Sequence, residues 1–302
     1  VSDAPAVSVA VVGMGGAEAL RACLDALARQ RGVPALEVVV THDPGLPGMA
    51  AAAASFPAVR VVPNHGQRSP LELASRAILN TRGAVVLVTK DYCVPHPDWA
   101  RTLVAALEDP WAAVGGPVDI DPGASATEWA FSFIDFYPYS SPVPAGVAAT
   151  LSVCNAGYRR ADLEALALEW RTHFQEQAVN QALVAQRGQP LGLVPEAPVT
   201  LVRRVALLEA LRERFALGRV FAAKRLEYTS PTRAWGYRLG APLLPAVMVG
   251  RMAGKARHSQ ALLRTFARAL PPLSALVAAR AVGEWLGYVT GADGLDSGSG
   301  RG

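Results

Sequence analysis

Three features of this chain predict a mixed α/β protein, with a doubly wound, mostly parallel sheet followed by a helical, basic and apolar appendage. Short β-branched runs alternate with helix-period segments over the first 200 residues. One apolar run, residues 84–88, ends abruptly in polar residues around Asp91, and such strand tips are where open α/β sheets place ligand chemistry. Near residue 205 the character changes to long basic and apolar stretches. With 302 residues, 51% hydrophobic and 18% charged, the chain can bury one large core plus an appendage and is too apolar for disorder.

The elements follow in order. Residues 7–12 read as a buried strand, and residues 17–29 as a helix whose apolar face is Leu20, Cys23, Leu24 and Leu27. Residues 36–40 and 59–62 are two more strands, with a turn sequence at His42-Asp43-Pro44-Gly45 between them. Pro70 opens a helix to residue 79, residues 84–88 form the fourth strand, and residues 99–107 form another helix. Residues 125–160 are rich in aromatics and proline and read as strands. Helices follow at 161–168 and 174–186, the second ended by Gly188, with short strands at 191–194 and 199–202.

From residue 205 the segments 205–225, 239–249 and 262–290 read as basic or apolar helices. A membrane span needs about 20 largely apolar residues, but Arg280 and Glu284 interrupt the best window, 269–289. Interfacial helices and a packing layer of soluble helices are the readings left open. The expected division is residues 1–204, 205–292 and a disordered Gly/Ser tail at 293–302. Residues 201–302 hold 16 Lys and Arg against 6 Asp and Glu, so residues 1–200 hold 13 against 19. An acidic body with a basic, apolar tail points to an anionic membrane surface meeting residues 205–290, rather than to nucleic acid. Three scattered cysteines without a CxxC form no disulfide framework or metal site and suit a reducing compartment. The first residues carry no basic signal-peptide region. The expected location is cytoplasmic, peripheral on the inner face of the membrane, and the Arg- and Ala-rich composition suggests a bacterial source.

Gly13-Met14-Gly15-Gly16 imitates a dinucleotide fingerprint, but the third glycine of GxGxxG would fall on Glu18, whose carboxylate would repel a pyrophosphate. A triphosphate loop for a nucleotidyltransferase is also missing. The segment Lys90-Asp91-Tyr92-Cys93-Val94-Pro95-His96-Pro97-Asp98-Trp99 is more specific. It resembles the aspartate-motif region of bacterial family 2 glycosyltransferases of the GT-A fold. In many relatives an acidic cluster precedes Cys-Val-Pro-x-Pro-Asp-Trp. A second match is Asn155-Ala156-Gly157-Tyr158-Arg159-Arg160.

The resemblance implies transfer of a sugar, with inversion, from a UDP- or GDP-sugar to a lipid-linked, polysaccharide or small-molecule acceptor. It places the loop of Gly13 beside the nucleotide, where relatives carry Pro-Thr-Tyr-Asn. It makes Asp43 a nucleobase contact, although Asp43 is equally a turn residue. It puts Asn155, Tyr158 and Arg159 along the cleft, and gives Arg219 and Arg225 to diphosphate or acceptor phosphate, with lipid headgroups as the alternative. Relatives hold Mg²⁺ or Mn²⁺ with carboxylates where this chain has Lys90 and Tyr92, which leaves Asp91 alone as a metal ligand. One reading lets Lys90 face the diphosphate in place of the metal. The other is a non-catalytic binding or assembly subunit. Glu176 is the candidate base, because the Asp that usually follows is Gln177. An exposed helix glutamate is the plain alternative. His96 has no partner at metal-ligand spacing.

Overall fold

The computed structural model describes residues 5–33, 36–64, 66, 69–227, 229–230, 235–237, 240, 243–257 and 259–290. The tail at 293–302 lies outside these residues, as does Pro242. The chain divides into two compact units, residues 1–121 with 139–203, and residues 122–138 with 204–302.

The first unit carries the sheet. Strands β1 (Val7–Gly13), β2 (Glu37–His42), β3 (Val59–Val61) and β4 (Val85–Lys90) are followed by β5 (Cys93–Pro95), β6 (Val114–Gly115), β7 (Val118–Ile120), β8 (Gly146–Ala148), β9 (Ala156–Arg159), β10 (Leu191–Leu193) and β11 (Val199–Leu201). Eight of them form one sheet in the order β3-β2-β1-β4-β9-β6-β10-β8. The pairs β1–β2, β1–β4, β2–β3 and β6–β10 are parallel, and β9 runs antiparallel to both β4 and β6. Strand β1 is buried along its whole length, as a central strand covered on both faces must be. Helices α1 (Ala17–Ala28), α2 (Met49–Ala54), α3 (Pro70–Leu79), α4 (Trp99–Ala106), α6 (Arg160–Ala165), α7 (Ala167–Trp170) and α8 (Glu176–Arg187) belong to this unit. Leu20, Cys23, Leu24 and Leu27 of α1 are buried, as their spacing predicts. The expected doubly wound, mostly parallel sheet is therefore present. A small second sheet, β5-β11-β7, ties the end of the β4 segment to the end of the unit.

The second unit is helical. It comprises α5 (Ala126–Phe136), α9 (Leu207–Glu227), α10 (Leu244–Ala256) and α11 (Gln260–Thr290). The aromatic stretch read as strands is in part α5. Ser125 accepts from the Glu128 amide and the Glu128 carboxylate returns a bond to the Ser125 amide, a capping box that outweighs the strand propensity of the aromatics. Phe131, Phe133, Phe266, Leu273, Leu276 and Val277 form this unit's core. That burial carries α11 through Pro271 and Pro272, each of which costs a helix about 3 kcal/mol. Arg214 is buried in a bidentate pair with Asp135 at 2.6 and 2.7 Å, and Glu284 is buried against Arg225 and the Tyr288 hydroxyl. Of the two charges that interrupt the apolar window, Glu284 thus serves internal pairing, and Arg280 lies over the Phe221 ring at 5.7 Å. Among the described residues no helix is long and apolar enough to cross a membrane.

Candidate functional site

Strand order reverses between β1 and β4, and the C-terminal tips of β1, β2 and β4 come level there. Gly13 pairs with His42, and Val12 with Lys90. This is the crevice where open parallel sheets bind ligands. Gly13, Asp43, Lys90, Asp91 and Tyr92 all lie at these tips. The Asp43 amide donates to the Gly13 carbonyl at 3.1 Å, and the Asp43 carboxylate accepts from the Gly45 amide at 2.8 Å, so it closes its own turn.

Asp91 is fully buried. Its carboxylate accepts the Met14 amide at 3.0 Å and the Gly15 amide at 2.9 and 2.8 Å. The amides of the glycine loop, which would otherwise face an anion, are satisfied by the chain's own carboxylate. This also explains the glycines. A Cβ on Gly13 would sit 2.7 Å from the Met49 methyl and 2.8 Å from the His42 Cβ, and one on Gly15 would sit 3.0 Å from Tyr92. Burial pushes the Asp91 carboxyl up to about 6, while the two loop amides and Lys90 pull the other way.

Tyr92 is buried with two cations against its ring, the Lys90 ammonium at 5.6 Å and the Arg203 guanidinium at 5.7 Å from the centroid. Burial opposes the charge on Lys90, but the Tyr92 oxygen and the sulfurs of Cys154 and Cys93 more than offset it and hold the ammonium above the ordinary lysine value. Arg203 was not foreseen. It follows β11, which pairs with β5 in the register Leu201 to Cys93, and the Val202 amide donates to the Tyr92 carbonyl at 2.8 Å. Only the pairing of strands about 100 residues apart brings it here, so no local signal marks it. Cys93 and Cys154, read as isolated, have hydrogen-bonded thiols in the same core.

The two most specific sequence stretches meet in space. Buried Trp99 donates its indole N–H to Asn155 Oδ1 at 2.8 Å, and Asn155 Nδ2 donates to the carbonyls of Pro117 and Ala197 at 2.8 Å. Tyr158 is fully buried and donates to Asn180 Oδ1 at 3.1 Å. Arg159 donates to the carbonyls of Trp111, Asp109 and Leu107. Expected to line the cleft, these three residues spend their hydrogen bonds on the fold. Glu176 opens α8 and is half-buried. Burial first, and then its carboxylate, hold the Tyr158 phenol above the ordinary tyrosine range. The Cys154 thiol lies within electrostatic reach of both Lys90 and Glu176. Arg219 and Arg225 belong to α9 in the second unit. There Arg225 donates to the Tyr288 hydroxyl at 2.8 Å and stacks on Phe221 and Tyr237.

A hard divalent cation needs several oxygen ligands. Among the described residues no group of three or more His, Cys, Asp or Glu is arranged to hold a metal, and both oxygens of Asp91 already accept loop amides. These residues alone do not complete a donor set for Mg²⁺ or Mn²⁺, whose sites commonly join one or two free carboxylates to substrate phosphates.

A parallel sheet with a charged crevice at its switch point and a mixed antiparallel half defines an α/β fold of the GT-A type. The description "Glycosyl transferase family 2" matches residues 8–167, just over half of the 302. The chain belongs to that family. Its structure is similar to the mannosyltransferase PcManGT from Pyrobaculum calidifontis in complex with GDP-Man and Mn²⁺, with a TM-score of 0.54 and 18% identity over 94% of this chain and 88% of that one. It is also similar to S. aureus TarS 1-349 in complex with UDP-GlcNAc, with a TM-score of 0.52 and 14% identity over 90% of each chain. At these identities the likeness concerns the fold. No match was found among curated proteins.

Proposed function

We propose that the chain transfers a sugar from a UDP- or GDP-sugar to an acceptor with inversion, and that Lys90, assisted by Arg203, faces the donor diphosphate where relatives use a metal. The observation that carries this reading is the pair of cations gathered on Tyr92 at the strand tips, beside an Asp91 already committed to the glycine loop. Glu176 takes the proton of the acceptor hydroxyl. The hydroxyl oxygen attacks the anomeric carbon opposite the diphosphate, and the bond from that carbon to the phosphate oxygen breaks. The charge gained by the leaving nucleotide falls to Lys90 and Arg203, since fixed cations in a partly dry site stabilise developing charge strongly. Asp43 serves the nucleobase. Asn155, Tyr158 and Arg159 brace the cleft. We assign residues 1–204 to this transferase body, apart from 122–138, which belong to the helical unit.

Residues 205–290 we assign to an anionic membrane surface on the cytoplasmic side. Support comes from the basic excess of this part and from Leu263, Leu270, Val282, Trp285 and Val289, which lie exposed along α11 with Arg264 and Arg268 beside them. A lipid-linked or polysaccharide acceptor suits such a placement.

Calorimetric binding of UDP, GDP and their common sugar conjugates, with Mg²⁺ or Mn²⁺ and again with EDTA, tests the donor reading. Binding that persists in EDTA is the expected result. Binding only with metal overturns the role of Lys90. No binding to any nucleotide favours the non-catalytic subunit.

A further inference from the structure

We infer that the cleft along α8 is the binding site for a neutral, hydroxyl-bearing sugar ring of the acceptor. This rests on the transferase reading above and deepens it. The cleft has a volume of about 500 Å³, within the range of small-ligand sites. One wall is a single face of α8, bearing Gln177, Asn180 and Gln181 at helical spacing. The opposite wall includes Ala148, Thr150 and Leu191. Glu176, the proposed base, is the residue before Gln177 and opens the same helix.

Asn180 is the decisive residue. It is 2% exposed, and its Nδ2 has no hydrogen-bond partner among the described residues. Its Oδ1 accepts the Tyr158 hydroxyl at 3.1 Å, which leaves the NH₂ group as the unpaired half of the amide. Buried donors are nearly always paired, so an amide left without a partner just behind the lining is a group that a small shift of the wall would bring to a ligand acceptor atom. The polar lining is one hydroxyl and three carboxamides, with no charged side chain. Carboxamides both donate and accept, as sugar hydroxyls do. The apolar wall suits the C–H face of a ring. A phosphate or carboxylate ligand would call for Arg or Lys, and neither lines the cleft.

The test is a titration of ¹⁵N-labelled full chain, followed through the side-chain amide signals, with the methyl glycosides of glucose, mannose and N-acetylglucosamine. Glucuronate and glucose 6-phosphate are the charged comparators, and each titration is repeated with UDP or GDP present. The expected result is a saturable shift of the Asn180 amide and of Gln177 or Gln181 with at least one neutral glycoside, and none with the charged sugars. Ala185→Trp fills the cleft from an exposed helix position and is expected to weaken glycoside binding at least tenfold while nucleotide affinity stays unchanged. Gln181→Leu, also at an exposed position, should weaken it severalfold. No saturable shift with any glycoside, preference for a charged sugar, or an Ala185→Trp protein that binds like the parent overturns the inference. Nucleotide binding without glycoside binding removes the cleft assignment alone. Glycoside binding without nucleotide affinity upholds the cleft and removes the transferase reading.

Discussion

Single side chains carry the chemistry proposed here, and their neighbours decide what each can do. Lys90 is partly exposed and held charged against Tyr92, so replacing it chiefly removes a cation. Lys90→Ala is expected to weaken nucleotide-sugar binding about 10- to 100-fold by calorimetry, the range of a charge-assisted phosphate contact, and Lys90→Arg to restore part of it. Equal affinity in all three proteins would count against a diphosphate contact. Glu37 gives a pH prediction. Burial would raise its carboxyl, but the Ser8 hydroxyl, the Arg82 amide and the side chains of Arg82 and Arg60 pull it from 4.5 down to about 2. A depressed carboxylate stabilises the fold above its unfolded value, so this contribution is complete above about pH 4.5 and is lost as pH falls toward 2. Arg82 and Arg60 are well exposed, and screening reduces the effect to the order of 1 kcal/mol. Glu37→Gln should therefore be less stable than the parent at pH 7 and converge with it near pH 2 in denaturant titrations. Asp91 has the opposite sign. Its carboxyl is raised to about 6, so its contribution is complete below 3.8 and fades as pH rises through 6.

Among the elements, those set by local pattern were legible and those set by context were not. Helix α1 and strands β1 and β4 follow their hydrophobic periods directly. Helix α5 hid behind its aromatics, although Ser125 and Glu128 spell its start. The α9–α11 seam depends on glycines whose role no period reveals. A Cβ on Gly218 would lie 2.3 Å from the Arg280 carbonyl, and one on Gly283 would lie 2.1 Å from the Phe215 carbonyl. Gly283→Ala must separate the two helices, and we expect a loss of about 1–3 kcal/mol and a melting temperature several degrees lower. Gly250 is the control. It lies in α10 with nothing within 4 Å of an added Cβ, so Gly250→Ala should be neutral or stabilising by up to about 1 kcal/mol. Similar melting of the two variants would remove close packing as the function of Gly283.

On the scale of the whole molecule, charge and apolarity are segregated along the chain. The first 200 residues are net acidic, and the remainder is net basic and carries most of the exposed large apolar side chains. Vesicles of phosphatidylcholine with phosphatidylglycerol should therefore co-sediment the protein, and pure phosphatidylcholine should do so much less. Salt should weaken the binding, and Trp285→Ser with Val289→Ser should weaken it at low salt too. Equal partition to both kinds of vesicle would argue against an anionic surface.

By itself the sequence determined the α/β body, the change of character near residue 205, the strand tips that carry Gly13, Asp43 and Lys90, and the family, because periodicity and short motifs are local properties. Tertiary structure alone decided that Asp91 satisfies the glycine loop, that Asn155 and Trp99 brace each other, and that Arg203 joins Lys90 on Tyr92. It also decided that Asn180, in the wall of a cleft, keeps an unpaired amide. Each of these rests on residues brought together across long separations in the chain, and the hydrogen-bonding capacity of a side chain is allotted only when its neighbours are in place.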